Sequence, residues 1–288
     1  SRHMAEHTLD EMAAGGIFDH VGGGFHRYAT DTRWRWPHFE KMLYDQALLC
    51  LAYTEAFQIT GKALYRRVAE KTFAYIIREL RAPEGGFYTA QDAESEGKEG
   101  KYYLWTREEI LDALGKETGE EFCTRYNITK DGNYHPHTEG GEGQGTAGLN
   151  ILYRQKEAGE MEKALEALFE RRKSRIPPMI DSKILTAWNG LTIAALTRAA
   201  RVFRRNDYLQ AAEEAADFLL RELFTGKRLL RRYRQGETAI EGFLDDYAFF
   251  AWGLLELYQA TLLPVYGEKA AELTRILLEL FSGEDGGL

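Results

Sequence analysis

Cysteine and proline are scarce in this chain, and long hydrophobic runs are missing. Only two cysteines, Cys50 and Cys123, and six prolines occur among 288 residues. The cysteines lie far apart and neither belongs to a CxxC pair, which fits a reducing setting. No apolar run approaches the roughly 18 residues of a membrane-spanning helix, and no signal peptide is visible. We therefore expect a cytoplasmic protein that does not enter membranes.

Basic residues are also in deficit. Lysine and arginine total 37 against 45 aspartates and glutamates, a formal net charge of -8. This balance argues against nucleic acid as a partner. The glycine-rich segment 131–150 matches neither GxxxxGK[ST] nor GxGxxG, so we interpret it as a long loop rather than a phosphate site. His135 and His137 have loose metal-ligand spacing but no matching cluster, and we expect neither a metal nor a cofactor.

Aromatic residues, in contrast, are plentiful at 12%, and many of them lie in three pairs of long periodic segments. In each pair the first segment is apolar nearly all round, as in an enclosed helix. The second has an apolar stripe and a charged face, as in a solvent-facing helix. The pairs are 38–60 with 63–80, 183–203 with 207–223, and 244–261 with 268–281. Tyr65, Tyr208 and Tyr266 each open a second segment, so the pattern is a repeat of helical hairpins.

Inner helices wrapped by outer helices at this period predict an α/α toroid. We interpret 1–288 as one mainly α domain, an incomplete (α/α)6 toroid with a small strand-containing insert at roughly 85–182. Within the insert, Thr106 and Glu109 have the spacing of a helix capping box. We expect the chain to be part of a longer protein and to self-associate through the open toroid ends, whose apolar flanks are exposed.

The connections between successive hairpins, and the starts of the inner helices, share one face of such a ring. Carboxylates and histidines beside aromatic rings are suited to a sugar or another small polar ligand, since rings stack on sugar C–H surfaces and carboxylates bind hydroxyls. The candidates for acid/base catalysis are His38, Asp92, Glu94, Asp245 and Asp246. The candidates for substrate binding are His26, Tyr28, Asp31, Trp34, Tyr44, Asp45, Trp188, Asn189 and Tyr247.

Several of these residues also have a purely structural interpretation. Asp245 is favoured as a helix N-cap, and Asn189 is equally well explained as a hydrogen-bonded core amide. We expect His38 to begin an inner helix, directly after Pro37 in its first turn. Two functions from different classes stay open: a glycoside hydrolase or sugar epimerase or isomerase, and a non-catalytic toroid that binds a ligand or a protein.

Four motifs resemble those of a known family: GGIFDHVGGGFHRYATDTRWRWPHFEKMLYDQALL, GGFYTAQDAESEGKEGKYYLWT, DSKILTAWNGL and GFLDDYAFFAWGLLELY. Together they resemble the thioredoxin-domain-containing family that includes spermatogenesis-associated protein 20. The resemblance implies a six-hairpin, glycosidase-like toroid, similar to that of N-acylglucosamine 2-epimerase and cellobiose 2-epimerase. It also implies an N-terminal thioredoxin-like domain and further hairpins, which we expect to be absent from 1–288.

Overall fold

A computed structural model describes residues 2–135, 146–155 and 159–283. Residues 136–145 of the predicted glycine-rich loop lie outside these ranges. The chain divides into two compact units. The first combines Ser1–Lys41 with Gln91–Met179, and the second combines Met42–Ala90 with Ile180–Leu288. Most of the predicted insert therefore belongs to the same unit as the N-terminal segment.

Helices dominate the described residues, and the strands are short. The α-helices are α1 (Arg2–Ala14), α2 (Leu43–Thr60), α3 (Ala63–Tyr75), α4 (Arg107–Leu114), α5 (Lys116–Arg125), α6 (Glu162–Arg172), α7 (Thr186–Phe203), α8 (Asn206–Glu222), α9 (Leu244–Thr261) and α10 (Pro264–Phe281). A π-helical turn, Ile76–Leu80, continues α3. The strands are β1 (Tyr28–Ala29), β2 (Pro37–His38), β3 (Lys41–Met42), β4 (Ala90–Gln91), β5 (Glu94–Ser95), β6 (Lys98–Glu99), β7 (Ile180–Asp181), β8 (Ile184–Leu185), β9 (Leu230–Arg234) and β10 (Glu237–Glu241).

The second unit contains the three helical hairpins that the periodicity predicts. Helix α7 packs between α2 and α9, while α3, α8 and α10 each pack on the inner helix that precedes them. Tyr65, Tyr208 and Tyr266 are each the third residue of an outer helix, and all three are buried. The predicted pairs and their register are therefore confirmed. A small antiparallel sheet in the order β10–β9–β8 joins the second and third hairpins.

Two glycines allow α7 and α9 to approach each other closely. A Cβ atom on Gly190 would lie 2.5 Å from the backbone of Phe249, and one on Gly253 would lie 2.8 Å from the carbonyl oxygen of Gly190. Both separations are shorter than a carbon contact allows, so a larger residue at either position would push the helices apart. With α2 on its other side, α7 is enclosed, which explains why its sequence is apolar nearly all round.

The first inner helix begins later than predicted. Helix α2 starts at Leu43, because Pro37 and His38 pair instead with β1, with Tyr28 opposite His38 and Ala29 opposite Pro37. The missing N–H of Pro37 is tolerated in a short edge strand of this kind. The prediction that His38 begins an inner helix is therefore wrong.

The first unit is built from α1, α4, α5, α6 and the segments between them. One apolar cluster lies among α4, α5 and α6 and includes Trp105, Ile110, Phe122, Tyr126, Leu165 and Leu168. A second includes Phe39, Tyr103, Leu104, Tyr134 and Ile151. The predicted capping box starts α4: Thr106 Oγ1 accepts from the Glu109 N–H at 3.2 Å, and the Glu109 carboxylate accepts from the Thr106 N–H at 2.8 Å. That prediction is confirmed.

Each of the three inner helices is followed by a residue with a left-handed backbone. Gly61, Arg204 and Leu262 follow α2, α7 and α9 in the left-handed conformation, with φ of 68°, 57° and 58°. Glycine adopts this conformation without the steric cost that a side chain incurs, and Leu262 is 74% exposed. Replacing Leu262 by Gly should therefore raise the free energy of unfolding by about 1 kcal/mol, measured by urea denaturation. Leu262→Ala serves as the matched control, because it removes the same exposed side chain but keeps the backbone strain; an equal gain in both variants would contradict the explanation.

Candidate functional site

His38 lies in a partly exposed group of polar and aromatic side chains on the first unit, here called the His38 group: Arg27, Tyr28, His38, Glu40 and Glu99. The Nδ1 atom of His38 lies 2.7 Å from Oε1 of Glu99, and its Nε2 atom lies 3.6 Å from Oε2 of Glu40. The imidazole stacks on the Tyr28 ring with 5.1 Å between centroids. Arg27 donates to Glu40 at 2.9 Å. The His38 side chain is 27% exposed, so a ligand can reach it from solvent.

Two short hairpins bring this group together. The pairing of β1 with β2 sets Tyr28 opposite His38. The pairing of β5 with β6 sets Glu99 opposite Glu94 and turns through Glu96 and Gly97, with φ of 53° and 72°. Left-handed values at both central residues are typical of the turn that two-residue hairpins prefer. Glu99 was not among the sequence candidates, although the Glu-Gly pair at 96–97 is the signal that could have predicted this hairpin.

The arrangement can hold and move a proton. When the imidazole is neutral, Nδ1–H donates to the Glu99 carboxylate, which fixes one tautomer and leaves a lone pair on Nε2. Glu99 also accepts from the backbone N–H of Phe39 at 3.2 Å, and this contact holds the carboxylate in place. A carboxylate that orients a histidine is an arrangement used for general acid/base catalysis.

His26 occupies a different environment and is removed from the substrate-binding candidates. Its side chain is buried, and Nδ1–H donates to the carbonyl oxygen of Phe39 at 3.0 Å. The ring packs edge-on against Phe39 and Tyr103, with centroids 5.0 Å and 4.6 Å away. Burial, reinforced by the positive charge of Lys41, lowers the pKa of His26 to about 3. It is therefore a neutral interior residue that does not reach solvent.

Next to His26 lies a buried ionic cluster that the sequence did not reveal. Asp19 accepts from both terminal nitrogens of Arg172 at 2.9 Å and from Nζ of Lys41 at 2.8 Å. Lys41 also donates to the carbonyl oxygen of Gly23 at 2.8 Å. Burial alone would raise the pKa of Asp19, but the charges of Arg172 and Lys41 outweigh it and hold that pKa well below its usual value. The cluster carries two cations and one anion, and it stabilises the glycine-rich turn before the His38 group.

The remaining candidates of the first unit are mainly loop residues. Asp31 organises its own loop by accepting from the backbone N–H groups of Arg33, Arg35 and Trp36 at 2.8–3.0 Å. Trp34 belongs to the same loop and has a left-handed backbone with φ of 60°. Asp92 and Glu94 are exposed, and Asp92 Oδ1 accepts from the Glu94 N–H at 3.1 Å. Asp92 and Glu94 therefore stay candidates by exposure alone, whereas Asp31 has a structural function.

In the second unit, three candidates are engaged with backbone groups. The Asn189 amide accepts from the Phe87 N–H at 2.7 Å and donates to the Phe87 carbonyl at 3.0 Å. Asp246 accepts from the backbone N–H groups of Ala187 and Phe243, both at 2.9 Å. The Tyr247 hydroxyl accepts from the Leu229 N–H at 2.8 Å. All three side chains are buried, so their first function is to fix loops onto α7 and α9.

Asp245 and Asp246 share one counter-ion. Nη1 of Arg231 lies 3.0 Å from Oδ2 of Asp246 and 3.3 Å from Oδ1 of Asp245. Burial raises the pKa of Asp246 above its usual value, although its backbone donors and Arg231 oppose the rise. Asp245 is 42% exposed, so of this pair it is the carboxylate that a ligand can reach.

The last three candidates lie at the starts of inner helices. Tyr44 and Trp188 form an edge-to-face pair with centroids 4.8 Å apart, and both side chains are partly exposed. Asp45 lies in the first turn of α2. The aromatic pair is available for stacking, whereas the polar residue next to it, Asn189, is not.

Within 2–135, 146–155 and 159–283, no group of three or more histidine, cysteine, aspartate or glutamate side chains is placed to hold a metal ion. None of the helices described there is long and apolar enough to cross a membrane.

The chain has clear relatives in sequence. It is 38% identical to human spermatogenesis-associated protein 20, in an alignment that includes 100% of this chain and 41% of the human protein. The rat protein of the same name is 37% identical over the same shares. No family model matches the chain. The chain thus spans about two fifths of the length of these relatives, and the resemblance predicted from the four motifs is confirmed.

Solved structures with a similar fold include a cellobiose 2-epimerase and an unsaturated glucuronyl hydrolase. Cellobiose 2-epimerase from Spirochaeta thermophila aligns with 99% of this chain and 59% of its own, with a TM-score of 0.57 at 12% identity. Unsaturated glucuronyl hydrolase from Bacillus sp. GL1 aligns with 98% of this chain and 57% of its own, with a TM-score of 0.55 at 15% identity. At these identities the likeness shows the fold alone. The predicted fold class, mainly α with toroid hairpins and small strand insertions, is confirmed.

Proposed function

We propose that this chain is part of a carbohydrate-active enzyme, a sugar epimerase or isomerase or a glycoside hydrolase, in which His38 transfers the proton. The observation that carries the proposal is the 2.7 Å contact between His38 and Glu99 in a group that solvent can reach. The enzymes that share the fold, an epimerase and a hydrolase, are consistent with a sugar as the ligand.

Each member of the His38 group has a function in this proposal. Glu99 orients the imidazole, and Nε2 of His38 takes up or delivers the proton at the reacting centre. Tyr28, which is 50% exposed and stacked on His38, offers a ring face to the C–H surface of a sugar. Glu40, held by Arg27, is placed to bind a hydroxyl.

Proton transfer next to a carbonyl fits this site better than glycoside hydrolysis does. Hydrolysis generally uses two carboxyl groups that flank one bond. Of the four predicted carboxylates, Asp246 is buried and bound to two backbone N–H groups, and Asp245 is paired with Arg231. Asp92 and Glu94 are candidates by exposure alone. An imidazole base, in contrast, is suited to remove a proton from the carbon beside a sugar carbonyl. We therefore place epimerisation or isomerisation before hydrolysis.

A second function is favoured by a specific observation. His26, Asn189, Asp246 and Tyr247 were all candidates, and all four are buried and bonded to backbone groups. Polar side chains that bond the backbone of the domain's own loops fit a non-catalytic toroid that binds a ligand or a protein. In this alternative the toroid is regulated by the thioredoxin-like domain of the longer family members. Self-association through exposed apolar side chains at the end of α9, such as Leu262 and Leu263, is part of this alternative.

A screen of the full-length protein that contains this chain separates the two functions. Reducing disaccharides and N-acyl sugars would be tested for epimerisation, isomerisation and hydrolysis by chromatography of the products. We expect conversion of at least one reducing sugar to its epimer or isomer. Binding of sugars without turnover, or concentration-dependent sedimentation without either, would instead support the non-catalytic function.

A further inference from the structure

The first unit contains a cleft of about 410 Å³ that the proposed function does not use. It lies between the C-terminal half of α1, the loop around Trp34 and the segment 153–155. Its lining includes Glu11, Arg33, Trp34, Arg35, Tyr153 and Arg154. The volume falls in the range of small-molecule sites. We propose that this cleft binds a small organic anion, a carboxylate or phosphate carried on a ring.

The charged side chains that line the cleft favour a negatively charged ligand. Arg33, Arg35 and Arg154 contribute three positive charges in a protein whose net charge is -8, and Glu11 contributes one negative charge. Glu11 lies near His7, whose Nδ1 is 3.7 Å from its carboxylate. Within the described residues, no carboxylate forms an ion pair with Arg33 or Arg35. Two guanidinium groups are thus available for the forked hydrogen bonds that carboxylates and phosphates accept.

The helix end at the cleft does not cancel this charge. The C-terminus of a helix carries roughly half a negative charge on its unpaired carbonyl groups. Here the Ala14 carbonyl accepts from the Arg154 N–H at 2.7 Å, and the Gly15 carbonyl accepts from Nε2 of His20 at 3.0 Å. These bonds engage the oxygens that would otherwise repel an anion, so the arginine charges dominate.

The aromatic part of the lining is built into the loop. Trp34 has φ of 60°, a conformation that is strained for a large side chain, and it is kept there by the hydrogen bond from the Ile17 N–H to its carbonyl at 3.0 Å. A Cβ atom on Gly15 would lie 2.3 Å from that carbonyl, so only glycine lets the loop approach α1 so closely. The Arg35 guanidinium lies over the Tyr153 ring, 4.6 Å from the ring centroid. Strained residues concentrate where a ligand is held, and the indole and phenol rings supply a surface for a ring-shaped ligand.

Calorimetric titration of the full chain with three probes tests the proposal: glucuronate, glucose 6-phosphate and glucose. The first two carry a carboxylate or a phosphate on the ring that the third presents without charge. We expect at least one of the anions to bind at least tenfold more tightly than glucose, and added salt to weaken that binding. Equal affinity for all three, or no binding at about 10 mM probe, would overturn the proposal.

Three variants locate the site. The double substitution Arg33→Gln/Arg35→Gln should weaken anion binding at least tenfold, whereas Arg171→Gln, which removes a similar exposed charge from α6 outside the cleft, should change it less than twofold. Trp34→Gly relieves the backbone strain and removes the indole, so it should weaken binding of the ring anion without lowering the melting temperature. If the double variant has no effect in a chain that melts normally, or if Arg171→Gln weakens binding as much as the double variant does, the anion binds elsewhere and the proposal fails.

Discussion

Replacing Asp19 by Asn should lower the free energy of unfolding by about 3–5 kcal/mol, as expected when a buried ion pair loses one partner. Asn keeps the size of the side chain and can still accept from the backbone N–H groups of Val21 and Gly22, which Oδ1 of Asp19 contacts at 3.1 Å and 3.0 Å. What disappears is the negative charge that contacts both Arg172 and Lys41, whose side chains are 3% and 1% exposed. Two buried cations would then lose the carboxylate that pairs with both of them. The loss would be measured by urea denaturation of the variant and the parent.

The matched variant Lys41→Met makes this prediction specific. It leaves Asp19 and Arg172 as a neutral pair with two hydrogen bonds, so it should cost less than half as much as Asp19→Asn. The double variant Asp19→Asn/Lys41→Met should be more stable than Asp19→Asn alone, because one of the two buried cations that lost the carboxylate is gone. A cost below about 1 kcal/mol for Asp19→Asn would contradict the account of the cluster.

His26 should make the protein less stable as the pH falls. The unfolded chain binds a proton at this residue near the ordinary pKa of about 6.5, whereas burial keeps the pKa in the folded protein at about 3. Between these values the unfolded state binds more protons than the folded state. Stability that is fully present above about pH 6.5 is therefore lost as the pH falls toward 3, by up to about 1.4 kcal/mol per pH unit.

The contribution of His26 can be isolated with the variant His26→Gln. Its amide can still donate to the carbonyl oxygen of Phe39, but it does not titrate. Between pH 8 and 5 the parent should lose about 2 kcal/mol more than the variant does. Asp19 does not interfere in this window, since its lowered pKa means that its contribution is lost only at more acid pH. Parallel stability curves for parent and variant would show that His26 is accessible to protons in the folded state.

The parts of the fold that local sequence determines were predictable. The three hairpins follow from a periodicity that needs no distant partner, and Thr106 and Glu109 form their capping box across three residues. His38 illustrates the limit, because a helical pattern runs on through it from α2. The pairing with Tyr28 that makes it a strand residue joins segments 10 residues apart and leaves no periodic trace.

The candidate site was harder to predict, because the function of each polar residue depends on a partner that is far away in the sequence. Asp19 and Arg172 are 153 residues apart, and Asn189 and Phe87 are 102 apart. In each case the sequence shows a polar residue next to an apolar run, a pattern shared by ligand contacts and by buried structural groups. Only the hydrogen-bond partner distinguishes a ligand contact from a buried structural group. The sequence could therefore place these residues near loops, but it could not show which side chains were already bonded within the protein.

Proton transfer by His38 is tested most directly by measuring kcat/KM of the full-length protein on the sugar that it converts. His38→Gln should lower kcat/KM by about 10²–10⁴-fold, the range for loss of a general acid or base. Glu99→Gln should lower it less, and His3→Gln, an exposed histidine of α1, should leave it unchanged. Because His38 is partly exposed, its variant should melt at nearly the parent temperature. Unchanged turnover in His38→Gln, or a loss that follows a fall in melting temperature, would contradict the catalytic function of the His38 group.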